Sequence, residues 1–305
     1  MTIATWTGIR PGSSALNSTV ATLVPSPTPD GRRGGQNADM TSLRDAHVII
    51  TGGSEGIGRA TAAAAIARGA RVSLIARRTD ALRAAATELG PSCDWATADV
   101  ADRDAVGGAV SELVERSGPC DVMVANAGYA LPGRFWELPP DEFRTEMEVN
   151  YLGAVHAVAA VIDGMRQRRR GHLCFVSSTA GLLGVYGYTA YSPTKFALRG
   201  LAEALRSEVA PDRIRVSVVY PPDTDTPGFA LENEVKPPET AAISATVKPV
   251  QADRVAAAIV RGIERNRITI TADPLTATLA RGAGLLGPVL RRTMDRQVRS
   301  AQTVL

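Results

Sequence analysis

From Leu43 onward, short unbroken apolar runs alternate with longer stretches of helical character. HVIIT (47–51), RVSLIA (71–76), CDWAT (93–97), DVMVAN (121–126), HLCFVSS (172–178), IRVSVVY (214–220) and ITIT (268–271) have strand length and β-branched or apolar content. Helices are expected over 57–69, where an alanine-rich run closes on a glycine, and over 79–89, about 102–118, about 141–169, about 189–209 and about 251–265. Strands without polar alternation are covered on both faces, so they pair in parallel with helices on each side. Right-handed crossovers then give an α/β fold: a Rossmann-type doubly wound parallel sheet of about seven strands in a single domain, residues 41–272.

The flanks read differently. Residues 1–40 are rich in Thr, Ser, Pro and Gly, show no period, and are expected to be a disordered N-terminal extension. Residues 227–248 form a long connection of mixed polarity, expected to be a substrate lid. Residues 273–305 make an amphipathic C-terminal segment with several arginines. That segment is too interrupted to span a bilayer. It is expected to pack on its own domain or to touch a membrane surface peripherally.

Composition narrows the partners. Of 305 residues, 45% are apolar and 21% charged, and the net charge is only +3, so nucleic acid is not an expected partner. Cys93, Cys120 and Cys174 form no CxxC pair, which argues against a disulfide framework or a zinc site and fits a cytoplasmic protein without a metal.

In a doubly wound sheet, ligands sit beyond the carboxyl ends of the strands. The first strand end carries TGGSEGIG, with Gly52, Gly56 and Gly58 around Ser54 and Ile57. Such a turn lets backbone approach a pyrophosphate at a helix N-terminus. The second strand ends in Arg77 and Arg78 with no acidic residue, which favours a 2′-phosphate and hence NADP over NAD. Glu55 inside the glycine turn opposes a phosphate mildly. Asp99 and Val100 follow the third strand, where Asp99 suits an adenine amine and Asp102 suits the next helix cap. Asn126-Ala127-Gly128 ends the fourth strand with small residues beside the cofactor path.

The fifth strand ends at Ser177 and Ser178, and Tyr191 and Lys195 follow at i and i+4 on a helix, on one face. A free phenol titrates near pH 10, and an ammonium about 4–6 Å away lowers that value. Tyr191 could then exchange a proton with an alcohol or alkoxide, while Ser178 holds a carbonyl oxygen. Tyr-x-x-x-Lys alone is common, and a packed tyrosine beside a solvated lysine is the plain alternative. Tyr186 and Tyr188 lie nearby but lack a lysine four residues on.

Together, TGGSEGIG, Asn126-Ala127-Gly128, Ser178, Tyr191 and Lys195 resemble the short-chain dehydrogenase/reductase family over about 43–272. The resemblance implies hydride transfer between a nicotinamide and a carbonyl or alcohol carbon. It implies that Asn150, in EVNYLGA, holds a water of a proton relay through the lysine. At the sixth strand end Pro221 and Thr226 match the family's proline and threonine beside the nicotinamide, while Pro222 replaces a glycine. YPPDTDTPGF and GYTAYSPTKFALRGLAEALRSEV are similar to the 3-ketodihydrosphingosine reductases. That narrower resemblance implies NADPH-dependent reduction of a long-chain lipid ketone, in a dimer or tetramer. Asp223 and Asp225 are then candidates to face a substrate ammonium, or else cap the following segment. Another lipophilic ketone (β-keto acyl, mycolate-type or steroid) is the alternative substrate, and a nucleotide-binding scaffold the alternative class.

Overall fold

The computed structural model describes residues 40–245 and 247–304, with the side chains of 283–286 and 303–304 left aside. The expected disordered extension, 1–39, lies outside the described residues.

Seven parallel strands form one sheet. In chain order they are β1 (His47–Thr51), β2 (Arg71–Ala76), β3 (Cys93–Thr97), β4 (Val122–Ala125), β5 (Gly171–Val176), β6 (Ile214–Tyr220) and, last, β9 (Thr269–Thr271). A two-residue pair, β7 (Thr224–Asp225) with β8 (Val250–Gln251), stands apart from this sheet. The spatial order β3-β2-β1-β4-β5-β6-β9 reverses direction between β1 and β4. Such a reversal opens a crevice at the strand carboxyl ends. Register is set by like apolar partners, for example Val48 beside Val72 and Val122.

Successive strand residues feed opposite faces, so each strand needs apolar residues throughout. Ile49 joins one core with α3 (Arg103–Ser117), α5 (Gly153–Arg168) and α6 (Tyr191–Val209). Val48 and Ile50 join the other with α1 (Gly56–Ile66), α2 (Thr79–Leu89) and α9 (Ala252–Glu264). Each fully buried aliphatic side chain there contributes about 1.5–3 kcal/mol. As expected, Asp102 caps α3, accepting from the Asp104 and Ala105 amides.

The single helix expected over 141–169 is divided. α4 (Pro140–Met147) runs into a π-turn, Glu148–Leu152, before α5 begins. Asn150 lies inside that wide turn, and both ends of its side-chain amide are held by the backbone of Tyr129. π-turns of this kind concentrate at functional sites. The connection 227–248 contains α7 (Pro227–Val235) and α8 (Pro238–Ser244), each opened by proline at its first position. The C-terminal segment is α10 (Pro274–Val304), which passes through Pro288 and packs on α8 and β9. No helix among the described residues is long and apolar enough to cross a membrane.

Candidate active site

The carboxyl ends of β1, β4, β5 and β6 open on one edge because these strands are parallel. At β1, Gly56 opens α1 with φ +55°, a left-handed conformation that favours glycine. A Cβ at Gly56 would approach Thr226 Cγ2 to 3.2 Å. Glu55 at the helix N-cap makes no side-chain cap bond to the first-turn amides. Ser54 and Ile57 flank this turn, and Gly58 packs on the Gly52 carbonyl too closely for any side chain. An uncapped, glycine-lined helix start fits a dinucleotide pyrophosphate.

Arg77 and Arg78 follow β2 and engage carboxylates across the same edge: Arg77 with Asp99 at 3.8 Å and Arg78 with Glu55 at 2.6 Å. The two arginines are 69% and 64% exposed, and ion pairs that open to solvent are weak enough to be exchanged for a phosphate. Glu55 thus carries its own counter-charge. Asp99 also accepts from the Ala101 amide, and Val100 is buried with its carbonyl bonded to His156 Nδ1 at 2.9 Å. Asn126 braces the first loop, its Nδ2 donating to the carbonyls of Thr51 and Gly52. The amides of Asn126 and Ala127 both donate to Thr51 Oγ1 at 3.1 Å.

Gly128 lies where a Cβ would sit 2.8 Å from Asn150 Oδ1 and 3.2 Å from Lys195 Nζ. This close approach joins the fourth-strand end to the proton-handling residues. Ser178 caps the short helical turn after β5, accepting from the Ala180 amide at 3.1 Å, and its hydroxyl favours the ionised form of Tyr191. Ser177 donates to the Lys195 carbonyl at 2.9 Å, fastening α6 to the strand end. Lys195 Nζ lies over the Tyr191 ring, 5.4 Å from its centre, and donates to the Val176 carbonyl at 3.2 Å. Asn150 Nδ2 donates to Thr194 Oγ1, whose hydroxyl returns to the Tyr191 carbonyl. The structure therefore places Tyr191, Lys195 and Asn150 together at the strand end that carries Ser178.

Their electrostatics depart from the expectation. Burial drives the Tyr191 phenol well above its ordinary value, and Glu232 adds to this. The Ser178 hydroxyl pulls the other way, and Glu146 and Asp223 push up again. The expected acidification is overturned first by burial of the phenol and then by the three carboxylates around it. Burial lowers Lys195 to about 8, against upward pulls from Glu146 and Glu232.

The two candidate substrate residues separate. Asp223 is half-buried on the phenol side of the site, with burial raising its carboxyl and Lys236 opposing that. Asp225 is exposed in the short β7–β8 pair and accepts from Gln251 Nε2, so it does not join the site. Pro221 is buried, and its carbonyl accepts from the Thr179 amide at 3.0 Å. Thr226 caps α7, accepting from the Phe229 amide at 3.1 Å.

Three residues escape the sequence reading. Glu232 on α7 accepts from the Tyr188 hydroxyl at 3.1 Å. Glu239 on α8 is buried and gathers Arg134, Tyr186 and Gln302. Glu146, one helical turn before Asn150, is buried behind the site. Its spacing to Asn150 is the one available signal. Among the described residues no cluster of His, Cys, Asp or Glu has the makings of a metal site.

A glycine-lined helix start and a Ser-Tyr-Lys-Asn set at parallel strand ends define an oxidoreductase that uses a nicotinamide cofactor. The family model for short chain dehydrogenase matches residues 46–236, and the chain belongs to the short-chain dehydrogenase/reductase family. It is 45% identical over 240 residues to a 3-dehydrosphinganine reductase of Danio rerio, covering 76% of this chain and 72% of that protein. A 3-ketodihydrosphingosine reductase of Dictyostelium discoideum is 38% identical, with 78% of each chain covered. Among solved structures, a short-chain dehydrogenase from Streptomyces avermitilis superposes with a TM-score of 0.69 at 26% identity, covering 85% of this chain and 99% of that one.

Proposed function

We propose that this enzyme reduces the 3-keto group of a long-chain sphingoid base with NADPH, with Tyr191 as general acid. The observation that carries the reading is the Lys195 ammonium set 5.4 Å from the Tyr191 ring centre, one helical turn on, beside the strand end that bears Ser178. A general acid must carry its proton at working pH, and burial that raises the phenol keeps the proton in place until an alkoxide, a much stronger base, develops beside it. The bound nicotinamide supplies the hydride. Ser178 and Tyr191 orient the carbonyl oxygen, and Tyr191 gives its proton to that oxygen as the carbonyl is reduced. Arg77 and Arg78 would exchange their exposed carboxylate partners for a 2′-phosphate.

The relatives' printed activity and the acidic wall support this substrate class. A 3-keto sphingoid base carries an amine on the carbon beside the ketone, and Asp223 and Glu232 offer carboxylates around the phenol. Exposed Leu275 and Val289 on α10, and Phe135 and Trp136 on the loop that pairs with Tyr188, support peripheral contact with a lipid surface.

The test follows NADPH absorbance with 3-ketodihydrosphingosine in detergent micelles, beside a deaminated ketone of equal length. Consumption selective for the amino ketone is expected. Tyr191→Phe should lower kcat by about 10²–10⁴-fold while NADPH binding persists. Undiminished turnover by that variant would overturn the reading.

A further inference from the structure

Glu146 is fully buried on α4, yet the mechanism above gives it no task. One carboxyl oxygen, Oε1, accepts from the Leu131 amide at 2.8 Å. The other, Oε2, has no hydrogen-bond partner among the described residues. A buried carboxyl with an unpartnered oxygen is costly and calls for a reason. A purely structural strap for Leu131 would be met as well by an amide.

The surroundings supply a reason. The strand-end loop strapped by Glu146 is the same one whose Tyr129 backbone holds both ends of the Asn150 amide. At Gly128 that loop also passes Lys195, where a Cβ would sit 3.2 Å from Nζ; the charges that act on Glu146 are Glu142 on its own helix, whose carboxylate accepts from the Tyr129 hydroxyl, Lys195 on α6 and Glu232 on α7, and Glu146 in turn acts on Tyr191. Lys195 is the cation that acts on Glu146, and Glu146 leads the groups that favour the charged form of Lys195.

We propose that Glu146 is the proton reserve of Lys195: the buried carboxyl and the amine share a proton, and the Glu146 carboxylate, once formed, holds the lysine as ammonium. Glu146 therefore acts through Lys195 and is a positioning residue. Burial places its titration at about 8, the same region in which burial would discharge the lysine. The interacting pair loses one proton to solvent there, and the ammonium beside the phenol survives to higher pH. The inference rests on the proposed proton donation by Tyr191 and Lys195.

Glu146→Gln separates charge from shape, because the amide oxygen can still accept from Leu131. With NADPH and 3-ketodihydrosphingosine in micelles, the alkaline limb of the kcat profile should move down by about one pH unit, with KM unchanged. Glu146→Asp, which keeps the charge, should restore the limb toward that of the parent. An infrared difference between parent and Glu146→Gln, taken without cofactor, should show a protonated carboxyl at neutral pH that disappears above about 8. Superimposable alkaline limbs overturn the inference, as do equal shifts from the Asp and Gln variants. Failure of the proposed function is distinguishable: Tyr191→Phe would then remain active, however Glu146→Gln behaves.

Discussion

The Tyr188 hydroxyl donates to Glu232 Oε2 at 3.1 Å, tying α7 to the turn that leads into the catalytic helix. Tyr188 in turn stacks at a tilt against Tyr191, with ring centres 5.7 Å apart. The segment 227–248 is thus mechanically and electrostatically continuous with the phenol. A hydrogen bond to a charged group contributes about 1.5–3 kcal/mol, so Glu232→Gln should raise KM for the amino ketone roughly 10- to 100-fold. The deaminated ketone should keep its KM. Steady-state kinetics on the two substrates checks this, and Asp223→Asn should act in the same direction.

Cofactor choice should reside in the arginines after β2. Arg78→Ala should raise KM for NADPH by about tenfold or more and leave NADH nearly unchanged. Glu55→Gln, which frees Arg78 from its carboxylate, should lower KM for NADPH. Parallel titrations of the two cofactors by nicotinamide fluorescence read both effects.

Glu239 accepts from Arg134 and Tyr186 in two active-site loops and from Gln302 near the end of α10. Glu239→Ala should loosen all three attachments together. Hydrogen exchange over 238–244 and 183–190 should quicken, and KM should rise more than kcat falls. Unchanged exchange at the Tyr186 turn would show that the carboxylate does not hold these segments together.

His172 sits at the far end of β5, fully buried, with Nε2 bonded to Ser217 Oγ at 2.7 Å. Burial lowers it to about 3 from an ordinary 6.5. The folded protein therefore resists the proton that the unfolded chain takes up. Its contribution is complete above pH 6.5 and is lost as pH falls through about 3. Acid should cost roughly 2–5 kcal/mol of stability through this group. Urea unfolding across that range should show a shallower slope for His172→Asn.

Much of this is legible because the strands are apolar on both faces and each terminates in distinctive chemistry. HVIIT ending in TGGSEGIG, and Tyr191 four residues before Lys195, need only local spacing to be read. What escapes depends on distant elements meeting. The phenol's environment is set by Glu146 on α4, Asp223 after β6 and Glu232 on α7, and no local pattern announces their convergence. Asp225 looks equivalent to Asp223 in sequence, but the β7–β8 pairing turns it toward Gln251 and solvent. The helix over 141–169 reads as continuous because a π-turn preserves helical composition while changing the hydrogen-bond ladder.

That wide turn has a consequence for how the chain tolerates length change. It inserts one surplus residue between a segment that serves the cleft and one that packs on the sheet. Removing a single residue from 148–152 would restore an ordinary helix and swing everything upstream by about 100° around the axis. Glu146 and Asn150 would rotate away from Tyr129 and Lys195 while α5 stayed in place. The angular phase of one helix, rather than any one side chain, keeps the proton-handling groups aligned.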